Sequence, residues 1–442
     1  MTKKEVLSDK DLFNKGVELY KQDEYEKSNI KFSDAINLNP KNSEFYLWRG
    51  KTYHSLGKFD QAIEDLNKAI ELDSTDAGFY FLKGLIYYAQ TKNIPAIENF
   101  NNAIRLNPNR ADYYHWRAKI YYFLVKFDQA IVDLNKAIRL DPNRAEYYFW
   151  RGRIYYSQEK DLQAIEDLNK AIELEPTDAD YYHWRGLIFH AQKKFIPAII
   201  DLNKAIELDS TDADYYNWRG RTYFCQNKYR QAIEDLNNAI RLNPNRADVY
   251  FWRGRTYYFQ EKYRQAIEDL NKAIELDSTE AESYLLGGRE FNYKAEYYFW
   301  RGKTYYSIRT YDHTIEDLNK AIELEPNKAE YYYLRGQAHF NLNENIKTYF
   351  DANKAFELNP QNQNYRWLRN DAKARFSAKS LSFVKIKNDL NQADKYFEEN
   401  RLIEALNLYK KILDSDPEAK EFLGKDTMIR VNNIILKYKK IF

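Results

Sequence analysis

The chain has 442 residues, with 68 Lys and Arg against 66 Asp and Glu, a balance that disfavours wholesale attachment to nucleic acid or to a membrane surface. A single cysteine, Cys225, excludes an internal disulfide framework and a thiolate metal site. Tyr is abundant at 40, beside 25 Phe and 8 Trp, while 14 Gly and 10 Pro suit helices joined by short turns.

From Met1 to Gly16 charged and apolar residues alternate without a continuous apolar run, so no signal peptide and no membrane span are expected, and the expected location is cytoplasmic. A 34-residue pattern then sets in, weakly from about Asp9 and strongly from Ser43, Ala77, Ala111, Ala145, Ala179, Ala213 and Ala247. Further copies start at Ala295 and Ala329. In the copy beginning at Ala145, positions 4, 8 and 11 (Tyr148, Gly152, Tyr155) are spaced to share one face of a first helix. Leu162, Ala164, Ala171 and Ile172 are expected to form the apolar stripe of a second helix. One copy cannot bury both stripes, so neighbours must stack. Pro95 and Pro197 fall in the first turn of a second helix, where a missing N–H costs little. The turns Asp73-Ser74-Thr75 and Asp209-Ser210-Thr211 offer short side chains expected to cap the helix that follows.

This period resembles that of the tetratricopeptide repeat family. The small residues recur in phase, as Gly152, Ala164 and Ala171 and again as Gly220, Ala232 and Ala239. So does the closing proline, at Pro108, Pro142, Pro176, Pro244, Pro326 and Pro360. The resemblance implies an all-α, right-handed superhelical solenoid of helix-turn-helix repeats with the first helices lining its inner face. It also implies a non-catalytic scaffold that binds a peptide or protein partner on that concave face.

Residues 1–280 read as about eight repeats, the first diverged. Residues 281–294 match the first fourteen positions of a copy and stop, which predicts a truncated repeat with a break or kink. Residues 295–376 read as a second stack, 377–385 as a linker, and 386–442 as a diverged repeat ending in a capping helix that carries Met428, Val431, Ile435 and Tyr438 on one face.

Two features recur across copies. Position 7 is Arg and position 23 is Asp in eight copies, from Arg49 and Asp65 to Arg335 and Asp351, and in the remaining strong copy both change together, to Lys83 and Asn99. That covariation within one chain predicts a partly buried salt bridge between the two helices that sets register more than net stability. Asn at position 25 (Asn135, Asn169, Asn203, Asn271) is expected to hydrogen-bond between helices.

Position 6 is Trp at Trp48, Trp116, Trp150, Trp184, Trp218, Trp252 and Trp300, and position 9 is often basic, as Arg153, Arg221 and Arg255. With positions 2 and 13 these lie opposite the core stripe. The expected partner-binding site is therefore an aromatic strip flanked by guanidinium groups and by the acids of position 2, with position 5 (Leu47, Phe149, His183, Asn217) as a variable exposed neighbour. Packing of each Trp against the next first helix, with Arg stacked on its ring, is the alternative role for the same residues.

No Gly-rich phosphate loop, nucleophile elbow or metal-spaced cluster occurs, so neither enzyme activity nor a cofactor is expected. His183 and His190 sit two turns apart and read as substitutions for Tyr or Phe. A single-stranded RNA-binding solenoid is an alternative function, disfavoured by the neutral charge and the acids of position 2. A structural homo-oligomer is the other.

Overall fold

A computed structural model describes residues 7–279, 284–286, 289–291 and 293–375, with scattered positions between 385 and 411. The expected linker, diverged repeat and capping helix fall almost wholly outside the described residues. The chain divides into two compact units, Met1–Leu242 with Ser283–Phe291, and Asn243–Glu282 with Asn292–Phe442.

Both units are built from antiparallel helix pairs that start where the periodicity places them. First helices of about thirteen residues, such as Ala145–Ser157, alternate with second helices of about fourteen, such as Asp161–Leu174. Within each unit a second helix packs on its own first helix and on the next first helix, so the apolar stripes are buried by stacking. In the second helix of that copy Ala164, Leu168 and Ala171 are fully buried. Leu162 is instead exposed, one position off the stripe on the outer side. In the first helix the buried face is Tyr147, Trp150 and Ile154, whereas Tyr148 and Tyr155 stay half-buried. A buried phenol needs a partner, and Tyr148 reaches one at the rim by donating to the Pro142 carbonyl. Tyr46, Tyr114, Tyr182 and Tyr332 do the same to Pro40, Pro108, Pro176 and Pro326.

First helices end alike. The N–H of Lys160 reaches back to the Tyr155 carbonyl, and those of Lys58, Lys126 and Lys194 to Tyr53, Tyr121 and Phe189. This closure puts position 15 in the left-handed region. Only one copy supplies glycine there, Gly57; Asp23, Thr91, Val125, Glu159 and Lys193 adopt φ near +60° with a side chain present. The turns lacking proline also differ from expectation. Asp73 accepts from the N–H and hydroxyl of Thr75 and so closes a local turn, while the helix cap is Asp76, bound to the N–H of Gly78.

Residues 281–294 contain the one departure from all-helical structure among the described residues. Tyr284–Leu286 and Arg289–Phe291 pair as antiparallel strands, Leu286 opposite Arg289. Two glycines separate them in sequence, the composition that short hairpins favour. On either side of this segment helix Tyr263–Thr279 packs against helix Lys294–Ser307, as consecutive copies do elsewhere.

Candidate partner-binding face

Recurrent polar clips fix the first helices. Arg151 donates from Nε to Asp167 Oδ2 at 2.8 Å and from Nη2 to Oδ1 at 2.6 Å, and its Nη1 reaches Asn135 Oδ1 of the preceding copy at 2.6 Å. The bidentate pair recurs in all eight Arg/Asp copies, with Asp almost fully buried and Arg about 20% exposed. At Arg117, Arg151, Arg185, Arg219, Arg301 and Arg335 the clip ties a first helix to its own partner and, through Asn at position 25, to the copy before it, which accounts for the constant Asn. The flanking tyrosines, Tyr148 and Tyr155, lie 5.6 and 5.9 Å from the Arg151 guanidinium and shield it. In the exceptional copy Lys83 keeps the backward bond, to Asn67 at 2.7 Å, while Asn99 turns to the Pro95 carbonyl. Across the hairpin segment the clip is intact: Arg301 bonds Asp317 and reaches Asn271, thirty residues back instead of the usual sixteen.

Fixed this way, the first helices present the tryptophan column as a layered wall. Six of the seven meet the residue at position 12 of the preceding copy edge-on: Trp48 on Tyr20, Trp116 on Tyr88, Trp150 on Tyr122, Trp184 on Tyr156, Trp218 on His190 and Trp300 on Tyr258, at 5.4–6.3 Å. Cations fill the spaces between. Lys119 lies 4.2 Å from Trp116 and 4.9 Å from Trp150; Arg153 lies 4.3 Å from Trp150 and 4.4 Å from Trp184. Lys51 caps Trp48, and Arg221 stacks on Trp218 at 3.7 Å. In the second unit Arg255 sits 4.5 Å from both Trp252 and Trp300, with Lys303 beyond. Stacking of indole and cation is favourable and stiffens the wall. It also encloses the rings: Trp150, Trp184, Trp218, Trp252 and Trp300 are 5–9% exposed, and only Trp48 and Trp116 are half-buried.

Around this wall the roles divide. Position 5 is interior, contrary to expectation. Phe149, His183 and Asn217 are buried, and Phe149 and His183 pack 5.0 Å from the Tyr at position 3 of the next copy. Variation at position 5 thus tunes stacking between copies. Acids at position 2 accept from the same tyrosines, Asp112 from Tyr147 and Asp180 from Tyr215. Position 13 is the open one: Phe123 is 55% exposed, Ala191 and Cys225 are exposed, and Ser157 is half-buried. The sequence places position 13 on this face without distinguishing it from its neighbours as the open one. Its signal was present in the residues seven positions after each Trp, which are short in five copies (Ser55, Ser157, Ala191, Cys225, Ser307) and are exposed phenylalanines in two (Phe123, Phe259).

Buried histidines complete the wall. His190 Nδ1 lies 2.9 Å from Thr222 Oγ1, and burial pushes its pKa down to about 4. No cluster of three or more metal-ligating side chains occurs among the described residues, and no described helix is long and apolar enough to cross a membrane.

Family models described as TPR repeat match residues 50–90, 126–159, 152–193, 220–260 and 310–343. Others described as Tetratricopeptide repeat match 31–64, 77–110, 179–212, 202–234 and 247–280. No curated protein matches the chain. Among solved structures it is similar to MamA, at 28% identity over 36% of this chain and 94% of that one, with a TM-score of 0.35. It is similar to YrrB, described as a TPR protein with an unusual peptide-binding site, at 24% identity over 42% of this chain and 95% of that one, TM-score 0.36. A tetratricopeptide repeat protein from Parabacteroides merdae is 20% identical over 53% of this chain and 93% of its own, TM-score 0.45.

Proposed function

We propose, from the premise that this chain belongs to the tetratricopeptide repeat family, that it is a non-catalytic scaffold holding an extended segment of a partner protein along its concave first-helix face. The observation that carries this reading is the regular wall of tryptophans and cations with a row of short or exposed side chains in front of it. A wall made only for stacking has no need of an accessible strip along its length. In this reading Trp48, Trp116, Trp150, Trp184 and Trp218, with Arg153 and Arg221, form the backing in the first unit, and Trp252 and Trp300, with Arg255, in the second. The partner touches their edges and the residues of position 13. A stiff, pre-assembled surface lowers the ordering cost of binding a flexible segment. Acids at the rim work against a phosphate backbone, so a protein segment suits the face better than RNA does.

The test is a random peptide library selected on the immobilised full chain, followed by anisotropy titration of enriched peptides. Phe123→Glu combined with Ala191→Glu changes the exposed strip and leaves every tryptophan in place. Binding is expected to weaken by at least about tenfold, or about 1.4 kcal/mol, with an unchanged circular dichroism spectrum. Unchanged affinity for all enriched peptides would remove this face from the account.

A further inference from the structure

Two lysines at position 9 of the wall are answered by the acid at position 2 of the next copy. Lys119 Nζ lies 3.9 Å from Glu146 Oε1, and in the second unit Lys303 Nζ lies 3.8 Å from Glu330 Oε1.

Arg153 departs from this pattern. The acid in the equivalent place is Asp180, one methylene shorter, and it accepts from the Tyr215 hydroxyl at 2.9 Å. No carboxylate of the described residues stands within 4.0 Å of the Arg153 nitrogens. The guanidinium lies instead among four rings, 4.3 Å from Trp150, 4.4 Å from Trp184, 5.2 Å from Tyr122 and 5.5 Å from Phe149. Its Nε is buried without a hydrogen-bond partner. Burial pulls its pKa below the ordinary value, against the opposing pull of Tyr122 and, from farther off, Asp180. The side chain is only half-buried, however, and Nη1 and Nη2 are open to solvent, as are the indole N–H groups of Trp150 and Trp184. None of these donors meets a carboxylate or a backbone carbonyl of the described residues. By contrast, Trp300 Nε1 donates to Glu296 at 3.1 Å.

Part of this has a structural explanation. A cation held between two indoles stiffens the wall, and Lys119 does that between Trp116 and Trp150. Stacking uses the faces of a guanidinium and leaves its N–H edge for hydrogen bonds. It does not explain why that edge, with two indole N–H groups on the flanking rings, gathers donors and no acceptor.

We propose that Arg153, with the indole N–H groups of Trp150 and Trp184, forms a subsite for one aspartate or glutamate side chain of the segment held on the concave face. The subsite rests on the function proposed above and names one residue class that the segment carries. A stacked guanidinium still presents parallel N–H groups that match both oxygens of a carboxylate, and its weak hydration makes the exchange of water for a carboxylate cheap. Glu146 and Asp180, the acids of the two neighbouring position 2 sites, limit the subsite to a single carboxylate and disfavour an acidic run. Copies continue on both sides of Arg153 within the first unit, so the segment runs past it, which suits a side chain better than a chain terminus.

The test uses the full chain labelled with ¹⁵N at tryptophan, whose eight indoles give a simple spectrum. N-acetylglutamate methylamide is expected to shift the Trp150 and Trp184 indole signals saturably and to leave Trp300, whose N–H is already bound, unmoved. N-acetylglutamine methylamide, similar in shape and uncharged, is expected to shift neither. Arg153→Gln, which copies Gln337 at the same position, should weaken the titration at least about tenfold. Arg153→Leu, which copies Leu187, supplies the same comparison should the first variant fold poorly. Unmoved Trp150 and Trp184 signals, an equal shift by the glutamine compound, or an equal titration in the variants overturns the subsite. Since this titration needs no partner, failure of the peptide selection and failure of the subsite are read separately. In an enriched peptide, changing the acidic residue to its amide should weaken binding to the parent chain and leave binding to the Arg153→Gln chain unaltered. Amidating the peptide C-terminus should change neither, and a loss on that amidation alone would overturn the assignment to a side chain.

Discussion

Single side chains here are chosen in sets, and the clip shows this most directly. Asp167 is buried and meets a guanidinium with two hydrogen bonds. Asp167→Ala leaves Arg151 facing a void and should cost about 3 kcal/mol, seen as a lower melting temperature. The copy with Lys83 and Asn99 offers the converse. Asn99→Asp alone places a carboxylate near the Pro95 carbonyl and should lower the denaturation midpoint, while adding Lys83→Arg should recover most of the loss. A double-mutant cycle is expected to give a coupling of about 1–3 kcal/mol; additive effects would contradict the clip. His190 supplies a pH signature. Its folded-state pKa of about 4 lies below the ordinary 6.5, so its neutral form is the one the fold accepts. That stability is fully present above pH 6.5 and is lost as pH falls from there towards 4. At pH 5 the loss amounts to about 2 kcal/mol. His190→Phe, which copies Phe224 at the same place in the next repeat, should melt with a smaller drop between pH 7 and pH 5 than the parent chain.

At the scale of the helix pair, the strain lies in the turn. Val125 holds φ at 59° with a β-branched side chain, a conformation that costs roughly 1–2 kcal/mol for a residue other than glycine. Val125→Gly should raise the melting temperature by an amount equivalent to about 1 kcal/mol, less the entropy that glycine gives back to the unfolded chain. An unchanged or lower melt would show the turn to be unstrained. This position marks a limit of what the sequence discloses. Gly57 alone betrays the left-handed residue, and nine other side chains hide it. The helix starts at Ser43, Ala77 and Ala145 were legible to the residue because the period repeats so often. The facing of single residues was less so. Tyr148 and Leu162 are apolar by type but sit at rim and exterior, since a phenol seeks a carbonyl and a one-position offset turns a helical side chain by a hundred degrees. Position 5 looked exposed because it varies; it varies because any ring or amide that fits beneath the next Tyr will serve. The Trp column and its cations were visible in sequence, but their lamination depends on contacts between copies that no single repeat contains.

Within the second unit the repeat register runs past an interruption. Arg301 still finds Asn271, and the helices flanking residues 281–294 pack together. Within residues 281–294, where a truncated copy is expected, Tyr284–Leu286 and Arg289–Phe291 pair as strands. Deleting residues 281–294 restores the sixteen-residue spacing of that clip and should leave helical content and melting temperature within a few degrees of the parent, since the stack loses no helix. A broad or much lower melt would show the segment to be part of the stack.

The account turns on where a partner segment lies, and the lone cysteine gives direct access to that question. Cys225 is exposed at position 13 of the first-helix face, and Glu207 is exposed near the end of a second helix. A benzophenone attached at Cys225, or at residue 207 in a Cys225→Ser background carrying Glu207→Cys, can be irradiated with a peptide enriched on the full chain. Cross-linking from position 225 and not from position 207 is the predicted result, and cross-linking from position 207 alone would contradict it.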